Sequence, residues 1–188
     1  FIGFLYGLGQ AKADGVKNLV LDISINDGGS CDLVGADVAI LRKNRTVQFW
    51  SQDALEGNNK IATYFVDTNF DGVFDEKDDT NPKFDCSDMN IAVLCSKVAF
   101  SCGHQFPTLM KDYGFPIMGE RSGGGTCCIQ VIQTADGQNY MISTYRDRST
   151  DKNFANTDSG IPTTDGYVFD YAHFYDLDFL TTKMQELY

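Results

Sequence analysis

Two kinds of apolar run organise the chain. The stretches Asn18–Ile23 and Ile91–Leu94 are short, nearly continuous and rich in branched residues, the pattern of strands buried on both faces of a parallel sheet. The first ends in Asn26-Asp27-Gly28-Gly29, a turn signal. A helical pattern follows, with Leu33, Val34, Ala36, Val38, Ala39 and Leu41 apolar. The second leads into Ala99-Phe100-Ser101-Cys102-Gly103, a helical segment from Phe106 to Tyr113, Gly114, and a further apolar run from Phe115 to Met118. Beyond that lies Gly119-Glu120-Arg121-Ser122-Gly123-Gly124-Gly125. Ile129–Thr134 and Tyr140–Thr144 alternate around Ala135-Asp136-Gly137 and predict a hairpin. Phe1–Leu8 reads as a first helix packing on the sheet, and Asp176–Tyr188 as a terminal helix. These elements predict one α/β domain over residues 1–188, with a mainly parallel sheet flanked by helices. Residues 53–88 form an acidic insertion within it.

The Ser101 stretch has the layout of a nucleophile. A buried strand delivers a serine onto a small-residue turn at the head of a helix. There, free backbone N–H groups and the positive end of the helix dipole favour a developing oxyanion. The glycine-rich turn after the next strand lets a second piece of backbone approach the same spot.

Taken together, the two segments resemble the C-terminal processing peptidases, or tail-specific proteases. In that family a strand reading Leu-Val-Leu-Asp-Leu-Arg ends in Asn-x-Gly-Gly, matched here by Leu19–Ser24 and Asn26–Gly29. A later strand delivers the serine, followed eleven residues on by Asp, an aromatic or small residue, and Gly; Ser101 is followed by Asp112-Tyr113-Gly114 at that spacing. Gly119-Glu120 then begins the family's next turn, and Asp158-Ser159-Gly160-Ile161-Pro162 resembles its Gly-Val-x-Pro-Asp element. The resemblance covers residues 10 to 170. It implies a ClpP/crotonase-like fold and a serine endopeptidase acting on unstructured polypeptide. Ser101 would be the nucleophile, and the N–H groups of Cys102 and of Gly28 or Gly29 would hold the oxyanion. Asp112 would orient the region.

One part of the family pattern is missing. Aligning Glu120 with the Glu of the family's Gly-Glu-x-Thr-x-Gly-Lys turn puts Gly125 where the lysine base belongs. A serine hydroxyl without a base is a poor nucleophile near neutral pH. The chain has two histidines. His104, three residues after Ser101, shares a face with it if the helix starts at Ser101, and is the candidate base within the chain. It reads equally as a histidine lying near a helix start. His173, in an aromatic segment, reads as a packed surface residue, and Arg121 stays charged. The other expectation is a base upstream, because the chain opens on Phe1 without a methionine and is expected to be part of a longer protein. Targeting segments and a substrate-recruiting domain would then lie outside these residues; Phe1–Leu8 is too short to span a bilayer.

The insertion has a pattern of its own. From Asp67 to Asp78 the chain fits a twelve-residue calcium loop, with Asp67, Asn69, Asp71, Asp75 and Asp78 as oxygen donors at positions 1, 3, 5, 9 and 12. Gly72 takes the sharp turn and Val73 offers its carbonyl. A structural Ca2+ ordering the insertion is expected. The other reading is a solvated acidic turn after a strand from Ile61 to Val66.

At 43% hydrophobic over 188 residues, the chain can bury a full core. A net charge of −11 excludes the basic surface that nucleic acid rewards. The six cysteines show neither zinc spacing nor a Cys-x-x-Cys pair. Cys102 reads as a small buried residue lending its N–H, or as a reactive thiol if its pKa is lowered at the helix end. The calcium loop and the resemblance point to an extracellular or cell-envelope setting. Two other readings are a catalytically inactive peptide-binding protein on the same fold and a calcium-stabilised interaction module at the cell surface.

Overall fold

Strands β1 (Asn18–Asp22) and β4 (Asn90–Cys95) pair in parallel, Leu19 opposite Ile91 and Leu21 opposite Val93. A third strand, β5 (Ile117–Gly119), joins the other edge of β4, giving the order β1-β4-β5. The computed structural model describes residues 1–188 except Tyr145. The unbroken apolar run at 91–94 makes β4 the central strand, because strand side chains alternate between faces and both faces here are covered. Ile91, Val93 and Cys95 pack with Val38 and Leu41 of α2 (Cys31–Arg42) and with Leu109 and Met110 of α4 (Cys102–Asp112). Ala92 and Leu94 pack on the opposite face with Met118, Phe174, Leu180 and Met184. Each fully buried branched side chain of this kind contributes about 1.5–3 kcal/mol.

The first helix, α1 (Ile2–Ala13), buries Leu8 in the larger cluster, and the terminal α5 (Leu177–Leu187) covers the other face with Leu180 and Met184. Asp176 caps α5 by accepting a hydrogen bond from the Phe179 N–H at 3.0 Å. The expected parallel sheet between helices is present, and antiparallel pieces accompany it. Strands β2 (Thr46–Gln52) and β3 (Asn59–Phe65) pair antiparallel, and a short β8 (Arg148–Ser149) adds to β2. A one-turn α3 (Lys77–Thr80) follows β3. The hairpin of β6 (Ile129–Gln133) and β7 (Asn139–Ser143) projects with all ten of its strand residues exposed. No helix among the described residues is long and apolar enough to cross a membrane.

Candidate active site

Between β4 and α4 the chain turns sharply, and Ser101 stands at the turn as the residue preceding the helix, with φ 55° and ψ −123°. A side chain at this φ is strained by about 1–3 kcal/mol, so its surroundings must hold it there. They do so through the backbone. The Ser101 N–H donates to the Gly124 carbonyl at 2.9 Å, and the Phe100 N–H donates to the Asn26 carbonyl at 3.1 Å. The Ser101 carbonyl accepts from the N–H groups of His104 at 2.9 Å and Gln105 at 2.8 Å. A strained strand-to-helix turn of this kind exposes a nucleophilic hydroxyl. Ser101 opens onto a cleft of about 300 Å³ lined by Phe100, Gly125, Cys127, Ile129, Ser143 and Asp158.

The Gly28–Gly29 turn closes against the serine from the β1 side. A Cβ on Gly28 would stand 3.0 Å from the Ser101 Cβ, so only glycine fits without displacing the hydroxyl. The Gly28 N–H donates to Asn26 Oδ1 at 2.9 Å and is therefore engaged. Of the two glycines named as oxyanion donors, Gly28 or Gly29, it is Gly28 whose N–H is already taken. The N–H groups of Gly29 and Cys102 make no hydrogen bond among the described residues and are the two left for an incoming oxygen.

His104 is not directed at Ser101, contrary to the expectation from its spacing. It is wholly buried, with Nδ1 2.8 Å from Ser122 Oγ and Nε2 3.1 Å from Thr157 Oγ1. Ser122 Oγ also accepts from the Ile161 N–H at 2.8 Å, which joins the ring to the loop as well. Burial lowers the His104 pKa to about 4. The neutral ring thus ties α4 to the Ser122 turn and the Thr157–Ile161 loop. Its folded pKa lies below the unfolded value. The stability it brings is complete above pH ~6.5 and is lost as pH falls toward 4, by about 3 kcal/mol. We expect the stability gap between the parent and His104→Gln to narrow over that window in urea melts followed at several pH values. A constant gap would show that the ring does not titrate as its burial demands.

No lysine or histidine hydrogen-bonds to Ser101 among the described residues. Gly125, at the position of the family's lysine, has φ +83° and lies beneath the Phe100 ring, whose Cζ would be 2.4 Å from an added Cβ. Asp112 accepts from the Lys152 N–H at 2.9 Å, and burial raises its pKa to about 6. It anchors the loop after β8 and stands apart from the serine. Sequence reasoning missed a sulfur pair. The Cys31 and Cys102 sulfurs lie 3.5 Å apart, with Cys102 Sγ 3.2 Å from the Gly29 carbonyl. Their hydrogen bond lowers the Cys102 pKa to about 7 and raises that of Cys31.

The acidic loop packs its Phe70 edge-on against Phe1, ring centroids 6.4 Å apart. Asp67 accepts from the Gly72 N–H, Asn69 from Asp71, Asp71 from Val73 and Asp75 from Lys77, each at 2.8 Å. Asp78 is buried and accepts from the Thr68 N–H at 2.9 Å and the Asp75 N–H at 3.1 Å. Gly72 makes the turn at φ +82°. Among the described residues no three His, Cys, Asp or Glu side chains converge as a metal cluster. The loop carboxylates are turned onto its own backbone.

Residues 5–164 match the model for Peptidase family S41. Among solved structures, the photosystem II D1 C-terminal processing protease is similar at 20% identity and TM-score 0.61, over 86% of this chain and 37% of that one. A lipoprotein from Streptococcus agalactiae is similar at 16% identity and TM-score 0.60, over 90% of this chain and 55% of that one. A Bacteroides fragilis protein assigned to the S41 proteases is similar at 14% identity and TM-score 0.62, over 95% of this chain and 46% of that one. At such identities the likeness is one of fold. The chain spans between 37% and 55% of the length of these structures. Among curated proteins none matches it.

Proposed function

The chain belongs to peptidase family S41, and on that premise we propose that it is a serine peptidase core in which Ser101 attacks the scissile carbonyl of an unstructured polypeptide segment. The observation that carries this is the strained Ser101 turn at the head of α4, next to two unused N–H groups. The Ser101 oxygen forms the acyl bond, and the tetrahedral oxyanion rests on the N–H groups of Cys102 and Gly29. Each such donor contributes about 3 kcal/mol to transition-state stabilisation. The amine product leaves with a proton, and water then releases the acyl group. The base that takes the Ser101 proton is unassigned.

The test is fluorophosphonate labelling read by intact mass, on this chain and on one extended upstream, each beside its Ser101→Ala counterpart. We expect labelling that vanishes completely in the alanine variant. Labelling confined to the longer chain places the base upstream of Phe1. No labelling in either favours a second reading, a peptide-binding protein that does not hydrolyse. That reading draws on Gly125 standing where the lysine would be and on the engaged ring of His104.

For the 67–78 loop we propose a structural Ca2+, held by Asp67, Asn69, Asp71, Asp75 and Asp78 with the Val73 carbonyl. Its support is the spacing of hard oxygens and the left-handed Gly72 at the sixth position. The ion's contribution would be charge neutralisation and ordering of the insertion beside the active face. Millimolar calcium is expected to raise the melting temperature by several degrees, with EGTA reversing the gain and Asp67→Ala abolishing it. An unchanged melt, with no heat in a calcium titration, would leave an acidic turn. A calcium-stabilised interaction module remains the lesser reading. An extracellular or cell-envelope setting fits both the loop and the lipoprotein neighbour.

A further inference from the structure

Gly28 and Gly29 line a second cavity, of about 290 Å³. That is the low end of the range for ligand sites and has room for one long side chain. Its walls are apolar: Phe4 from α1, Leu33 and Val34 from α2, and Phe106 from α4. Gly29 and Cys102, whose N–H groups are free, form the side nearest the serine. Asp37 of α2 also lines the cavity, and its Oδ1 is buried with no hydrogen-bond partner among the described residues. Asp22 is the other carboxyl in the lining, and no lysine, arginine or histidine side chain is among it. The one cation near Asp37 is the Phe1 ammonium, which makes no hydrogen bond to it among the described residues.

An unpartnered buried carboxylate oxygen is costly, by several kcal/mol when ionised, unless something donates to it. Burial raises the Asp37 pKa to about 7, against the opposing pull of the Phe1 ammonium. The mechanism proposed above makes no use of this group. A lysine or arginine side chain supplies the hydrogen-bond donor that Asp37 lacks. Its aliphatic stem suits the Phe4, Leu33 and Phe106 walls, and its cationic tip meets Asp37. The overall charge of −11 draws basic segments in the same direction.

We propose that this cavity is a substrate subsite for a basic side chain flanking the scissile bond, with Asp37 as the residue that sets the specificity. The assignment rests on the peptidase reading for its meaning, but its test does not depend on turnover. Fluorescent alanine peptides carrying one Lys, Arg, norleucine or Glu are titrated against the Ser101→Ala protein by anisotropy. Lys and Arg peptides are expected to bind at least about tenfold tighter than norleucine, with Glu weakest. Asp37→Asn should erase the advantage of Lys over norleucine, and Asp37→Leu should reverse it. Thermal melts of both variants establish that they fold, and Asp37→Leu is expected to melt above the parent because it removes the orphaned oxygen. Equal affinity for Lys and norleucine, an unchanged ratio in Asp37→Asn, or no binding of any peptide overturns the subsite. Failure of the fluorophosphonate to label Ser101, with the Lys preference intact, would instead remove the peptidase reading and leave a binding site for basic peptides.

Discussion

Gly103→Ala is expected to destabilise the protein by about 3 kcal/mol, a fall in melting temperature of roughly 6–12 °C, and to abolish labelling of Ser101. On helix propensity alone the change should stabilise α4 by about 1 kcal/mol, so the sign of the result isolates the steric term. An alanine Cβ at 103 would lie 2.1 Å from the Asn26 carbonyl oxygen and 2.9 Å from Asn26 Oδ1. That carbonyl receives the Phe100 N–H, and that Oδ1 receives the Gly28 N–H. The added methyl therefore pushes on both bonds that fix the Gly28–Gly29 turn against the serine. Gly7→Ala in α1, where nothing lies within 4 Å of the added carbon, is the matched control. It should gain about 0.5–1 kcal/mol. Urea melts of both proteins decide the matter, and two variants shifting in the same direction would show that α4 and the turn are not tightly engaged.

Gly124→Ala is expected to do more damage, about 4 kcal/mol or more. Gly124 sits at φ +80°, where a side chain is strained, and its Cβ would fall 1.8 Å from the Asp158 carbonyl oxygen. The loop answers in kind, since a Cβ on Gly160 would fall 1.8 Å from the Ser122 carbonyl oxygen. The two segments are interlocked at van der Waals contact between backbones, which no rotamer change can relieve. The Gly124 carbonyl is also the acceptor for the Ser101 N–H, so the strained φ of Ser101 loses its restraint along with the fold. A Gly124→Ala protein with the parent's midpoint and labelling rate would contradict this account of how Ser101 is held.

How far the sequence carries can be judged residue by residue. The run at 91–94 was legible as a buried strand because both faces of the sheet are covered there. The run at 18–23 was legible as a strand, but it forms the sheet edge and none of its residues is fully buried. The helices after Gly29 and after Ser101 were legible from period and from the turns that precede them. Strand β2 was not anticipated. Val47 and Trp50 are its buried residues, while Phe49 is only partly covered, so its alternation is imperfect and it follows directly on a helix. The placement of His104 failed for a definite reason. The rule that residues three apart share a face holds only when both are helical, and Ser101, at φ 55° and ψ −123°, is not. Likewise, nothing in Asn-Asp-Gly-Gly reveals that the asparagine side chain occupies one of the two glycine N–H groups. Site geometry made by contacts between distant segments, such as Cys31 with Cys102 or Asp37 with its cavity, leaves no local trace in sequence.

The sulfur pair has a consequence for reactivity. Ser101 and Cys102 place a hard oxygen and a soft, acidic sulfur one residue apart at the same helix terminus, with Cys31 3.5 Å beyond. Phosphorus electrophiles select the first. Alkyl halides and mercurials select the sulfur pair, meeting exposed Cys31 first with Cys102 buried behind it. Inhibition by a thiol reagent would therefore identify the neighbourhood of the serine without identifying a cysteine enzyme.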